Sequence, residues 1–197
     1  MANDRERWNR EMASQTILIG AAGEHYVLCE LLRRGYIAAL APTGVPTADI
    51  VVTDIEGSRQ FLIQVKTRRG VGAKGGWMMN IKHETIRDER IFYCFVDFQS
   101  SDKDLPLVYV VPSAVVATAI ADTHQAWLTI QGKKGQQHKD NNMRKLLPDF
   151  AKGPHVANYP YGAGWLDQYL YAWDSLKRSP IDLKHPSINK QLRKSRI

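Results

Sequence analysis

The chain has 197 residues, of which 44% are apolar and 24% charged, and its formal net charge is +7. These values describe a soluble globular chain with one core of ordinary size, and they exclude a disordered or membrane-embedded one. The positive surplus favours anionic partners, although it identifies none without a site beside it.

Residues 1–11 are crowded with Asp, Arg and Glu and carry no apolar secretory core, so no signal peptide is expected. Thr16 to Arg34 places Ile17, Ala21, Val27, Leu28, Leu31 and Leu32 at helical spacing, and Gly35 follows as a stop. Glu24 falls on that apolar stripe, where a charge is costly. It either pairs with Arg33 or His25 at the stripe's edge or points into a site. The two cysteines, Cys29 and Cys94, lie in apolar surroundings and read as buried reduced thiols, which suits a cytoplasmic protein.

Tyr36 to Ala41 reads as a short strand and Pro42 to Thr47 as a loop. Ile50 to Val52 and Phe61 to Val65 form two β-rich runs around the turn-forming Asp54 to Ser58, which predicts an antiparallel pair. With period-two alternation Gln64 and Lys66 share one face, and Phe61, Ile63 and Val65 take the other. A Gln and a Lys on such a strand need either solvent or a chemical task. Lys66 alone also reads as a strand-end lysine with its head in water, and Asp49 as a cap at the strand start.

Gly70 to Gly76 is a glycine-rich loop that includes Lys74, and it lacks the Lys-Ser or Lys-Thr of a phosphate-cradling loop. Further strands are expected at Trp77 to Ile81, Ile91 to Phe98 and Leu107 to Val111, with a helical turn at Glu84 to Glu89. A helix follows from Pro112 and Ser113 through Ala121, with the serine as cap. Leu107 to Ala121 is interrupted at Pro112 and is too short to span a membrane. Gln131 to Lys145, with Lys133 and Lys134, reads as an exposed basic loop, either a plain connector or a phosphate contact. Leu166, Tyr169, Leu170, Trp173 and Leu176 predict a core-packed helix over Trp165 to Leu176. The chain is expected to form a single domain over residues 1–178, with its core at 14–121, a helical and loop addition at 122–178, and a basic tail at 179–197. The histidines, His25 and His83 among them, show no metal-ligand spacing and read as surface or packing residues.

Gly23-Glu24 on the first helix, Pro46-Thr-Ala-Asp49 before one strand and Gln64-Val65-Lys66 on the next, in that order, resemble the PD-(D/E)XK nuclease superfamily. The resemblance covers Thr16 to Ala121 and extends to its resolvase-like and restriction-like members. It implies a restriction endonuclease-like αβββαβ core, a central mixed β-sheet flanked by helices. It further implies Mg²⁺, with Mn²⁺ substituting, and a DNA substrate. Asp49, the Gln64 side-chain oxygen, the Val65 carbonyl and Glu24 would be the metal ligands. Glu24, Asp49, Gln64 and Lys66 would then form the catalytic set, with Lys66 orienting or deprotonating water or neutralising developing charge. Arg68, Arg69, Lys74, Lys133 and Lys134 are candidate nucleic-acid contacts. Phosphate contacts alone do not separate DNA from RNA. Cutting both strands usually takes two sites, which allows for a homodimer. Two departures stand out: Gln64 occupies a place where the family usually has an acid, and Pro46 lies three residues before Asp49 instead of directly before it. The alternative is a catalytically inactive module on the same fold that binds nucleic acid or a protein partner.

Overall fold

The structure is a computed structural model that describes residues 2–70, 75–101, 103–132, 134–150 and 161–177, with residues 2–5 and 8–13 described in backbone only. The first helix, α1 (Ala2–Arg33), begins well before the expected start. It ends where Gly35 turns left-handed at φ 83°, with Tyr36 N–H bonding Leu31 C=O at 3.2 Å and Gly35 N–H bonding Leu32 C=O at 3.0 Å. That pairing closes the orphan carbonyls of the last turn and requires the glycine. Only Val27 and Leu31 of the predicted stripe are fully buried, whereas Ile17 is 72% exposed and Leu32 also faces out.

Strands β1 (Ile37–Leu40), β2 (Ile50–Thr53) and β3 (Gln60–Arg69) form an antiparallel series. Residues 75–90 then lead through β4 (Trp77–Asn80) and a 3₁₀ turn at Ile81–Glu84 to β5 (Ile91–Phe98), parallel to β3. Strand β6 (Leu107–Pro112) pairs antiparallel with β5, which completes a five-stranded sheet ordered β1-β2-β3-β5-β6. This is the expected mixed α/β core with one substitution, since the described residues of the β3–β5 crossover form a strand and a 3₁₀ turn in place of a helix. The helix that covers that face is α2 (Ser113–Leu128), which comes later in the chain.

Both faces of the sheet are covered at its centre, which is why β5 is an unbroken apolar run down to Asp97. Val27 and Leu31 pack with Ile63, Val65, Phe92, Cys94 and Val96 on one face. Tyr93, Phe95 and Val111 pack with Trp77, Val116 and Ile120 on the other. The alternation in β3 therefore turns Gln64 and Lys66 away from the α1 face.

Several expectations are corrected. Helix α2 continues to Leu128, and Ser113 does not cap it. Its hydroxyl donates to Asp88 C=O at 2.7 Å instead, tying the crossover to the helix start. The basic segment at 131–145 ends in β7 (Met143–Leu146), paired with β4, where Arg144 is buried against Glu84. Residues 165–176 form 3₁₀ turns at Asp167–Tyr169 and Trp173–Lys177 around Tyr171, whose φ is 49°, in place of an α-helix. Their apolar residues serve opposite faces, with Leu166 in the α2 core and Trp173 and Leu176 in the α1 core. A straight helix could not reach both. Between them Leu170 bridges to Tyr109 and Tyr171 N–H bonds Val108 C=O, so the segment wraps the β6 edge and is part of the core. Cys94 is buried, but Cys29 is exposed on α1. Among the described residues no helix is long and apolar enough to cross a membrane. The expected basic tail at 179–197, Lys74 and Lys133 lie outside the described residues.

Candidate active site

Helix α1 reaches the sheet through Gly23. A Cβ there would overlap the Thr67 hydroxyl on β3, so glycine is what allows the helix backbone onto the strand. The next residue, Glu24, is thereby carried to the end of β3 that holds Lys66. Neither alternative partner takes it: Arg33 bonds Glu30 at 2.7 Å, and His25 Nδ1 lies 2.9 Å from Ala21 C=O. Glu24 makes no hydrogen bond or ion pair among the described residues. Burial and the neighbouring Asp49 charge hold its carboxyl above the ordinary range, against the pull of His25 and Lys66.

Asp49 stands immediately before the start of β2. Its backbone N–H bonds Ile63 C=O at 2.8 Å, and past that point β3 has no strand on this side. The carboxylate takes the strand's place, with Oδ2 accepting the Val65 N–H at 2.7 Å and the Gln64 side-chain N–H. The reverse amide orientation would set oxygen against oxygen, so the contact leaves Gln64 Oε1 as the outward atom. An acid at position 64 would put two carboxylates in the same contact. The Val65 carbonyl shares the side of its N–H, beyond the first residue of β2. Lys66, on the same face as Gln64, has no hydrogen bond or ion pair among the described residues. Burial lowers its pKa, with Lys82 adding to the shift while Asp49 and Glu24 oppose it.

The oxygens of Glu24, Gln64 Oε1, Asp49 Oδ1 and the Val65 carbonyl are hard donors of the kind Mg²⁺ takes, and two of the groups carry charge. By donor chemistry these are the groups that could hold such an ion. The set differs from a cage of acids and imidazoles: among the described residues no three His, Cys, Asp or Glu side chains group to hold an ion.

Three residues that the sequence did not mark also border the site. Tyr93 is the register partner of Gln64, and its hydroxyl lies 2.7 Å from His83 Nδ1. His83 is 3% exposed, and burial with the charges of Lys66 and Lys82 lowers its pKa to about 4, so the ring is neutral near pH 7. Lys82 donates to Pro46 C=O at 3.1 Å, on the loop that leads to Asp49. A lone histidine without ligand spacing and a tyrosine inside an apolar strand gave no signal of this. Register with Gln64 was the one available clue for Tyr93.

The expected nucleic-acid contacts separate. Arg68 is buried, with its guanidinium bonded to Asp97 and Gly75 C=O and stacked 4.1 Å from the Trp77 ring centre. A group so engaged is not presented to a phosphate. Arg69 is exposed at the end of β3, and Lys134 is exposed in the turn at 132–135.

No family model matches the chain, and no curated protein matches it. Among solved structures it is similar to a bacterial homing endonuclease, I-Ssp6803I, with 14% identity, a TM-score of 0.48, and coverage of 86% of this chain and 98% of that one. It is also similar to Archaeoglobus fulgidus Hjc, a Holliday junction resolvase from an archaeal hyperthermophile, with 16% identity, a TM-score of 0.34, and coverage of 65% and 83%. Likeness at this level carries no argument about chemistry, which stands on the site itself.

Proposed function

We propose that the chain is a metal-dependent endonuclease that hydrolyses DNA phosphodiester bonds, with Mg²⁺ as its ion and Mn²⁺ able to substitute. The observation that carries this reading is the convergence of Glu24, Asp49, Gln64 and Lys66 where β2 begins and α1 touches β3. Asp49, Gln64 Oε1, the Val65 carbonyl and Glu24 would hold the ion. When bound, it would supply Lewis-acid stabilisation of charge on the phosphoryl group. Lys66 orients the attacking water or neutralises charge as the bond breaks, and its desolvated ammonium is stronger in that role than a solvated one. Asp49 enters the reaction already fixed by two N–H groups, so no reorganisation is needed to place it.

The test is incubation of supercoiled and linear DNA, and of RNA, with the purified protein in Mg²⁺, Mn²⁺ or EDTA. Nicking or cutting that requires metal and disappears in Asp49→Ala and Lys66→Ala is expected. Cleavage that persists equally in both variants would remove the assignment.

One observation favours a second reading, a nucleic-acid-binding module without catalysis: Gln64 satisfies Asp49 by direct contact, with no cation needed. Calorimetric titration separates the two. Absent Mg²⁺ and Mn²⁺ binding, together with salt-sensitive DNA binding indifferent to EDTA, would select the module.

A further inference from the structure

Lys82 and His83 are adjacent in the chain, yet they are tied to opposite sides of β3. Lys82 donates to Pro46 C=O on the β2 side, while His83 bonds the Tyr93 hydroxyl on β5, and β3 runs between β2 and β5. The two side chains therefore flank β3 on the face of Gln64 and Lys66. The ring of His83 meets Tyr93 edge-on at 5.6 Å, and Tyr93 stacks on Phe95, the register partner of Lys66, at 5.8 Å. The imidazole thus lies over the same face of the sheet as the lysine. Its Nε2 has no hydrogen-bond partner among the described residues, and neither has Lys66 Nζ.

We propose that His83 is a positioning residue for Lys66, with Nδ1–H donated to the Tyr93 oxygen and the Nε2 lone pair turned to the lysine ammonium or to a water between them. This rests on the nuclease reading of the site. A neutral imidazole suits the task because a charged one would repel the ammonium and offer no acceptor. The Lys66 charge reaches the ring, which is consistent with that placement.

The experiment compares full-length wild type with His83→Phe, His83→Gln and Tyr93→Phe, measuring steady-state DNA cleavage in Mg²⁺, melting temperature, and imidazole ¹⁵N shifts at pH 7. His83→Phe should lower kcat by about tenfold or more with KM little changed, the range seen when an orienting partner is removed. Tyr93→Phe should lower it less. His83→Gln should recover most of the rate, because its side-chain oxygen can accept near the Nε2 position, a rescue that a purely structural role would not give. The ¹⁵N shifts should report a neutral ring protonated at Nδ1. An Nε2–H tautomer, or His83→Phe cleaving as fast as an active wild type, would overturn the proposal alone. A loss of kcat that tracks melting temperature in all three variants, glutamine included, would also overturn it. A wild type that cleaves no DNA would instead remove the nuclease reading, and this proposal with it.

Discussion

Lys66 and Arg68 stand two residues apart on the same face of one strand, and their surroundings differ in almost every respect. Arg68 has its register partner Asp97 at bonding distance, Gly75 C=O beyond it and the Trp77 ring beneath it. Lys66 has Phe95 as register partner and no hydrogen bond or ion pair among the described residues, nor has Glu24 across from it. A buried charge with a complete set of partners is part of the scaffold. Partly buried charges without partners cost stability and persist where a ligand or reaction uses them.

The largest test of that contrast is Lys66→Met. Cleavage should fall by about 10³-fold, or about 4 kcal/mol of transition-state stabilisation, while the metal-free protein melts no lower than wild type. Arg68→Met should do the reverse. Stranding Asp97 in the interior costs about 3–5 kcal/mol, read as a melting point lower by roughly 10 °C. DNA affinity per folded molecule should be unchanged. An Arg68→Met protein that melts like wild type but has lost DNA binding would invert the comparison.

A smaller effect separates the two regions by pH. Because His83 titrates near 4 when folded and near 6.5 when unfolded, its contribution to stability is complete above the unfolded value and is lost as pH falls through 4. At 1.36 kcal/mol per unit the bound is about 3 kcal/mol. Urea unfolding at pH 7 and pH 4 should show a shallower acid loss in His83→Gln than in wild type; identical slopes would remove the buried neutral ring as its source. The smallest effect belongs to Glu24. Its raised pKa means that stability present at low pH is lost as the carboxylate ionises with rising pH. Metal-free Glu24→Gln should therefore melt higher than wild type at pH 7, on the order of 1–2 °C, and the gap should close at low pH. A gap that widened on acidification would contradict the sign.

The strands were readable because alternation and β-branched runs are local properties, and Ile91 to Phe98 is bounded as the sequence predicts. The position of Glu24 on α1 was readable for the same reason. What separates Lys66 from Arg68 was not. Both are cations at alternate positions, and the difference comes from Asp97 and Trp77, which only the parallel pairing and the crossover bring near. His83 was invisible on similar grounds, since its partner and its place over β3 arise from tertiary contacts alone. Residues 165–176 misled in the other direction. Their spacing is helical, yet Tyr171 breaks the run so that the apolar residues divide between two faces.

That division has a consequence for the chain during its synthesis. The α2 layer waits for Leu166, and the α1 layer waits for Trp173 and Leu176. Neither layer can be sealed while those residues are still inside the ribosome, so the emerging chain presents an unfinished sheet until translation has passed position 176. The groups around Asp49 at the start of β2 are therefore among the first parts synthesised and among the last to be held in place.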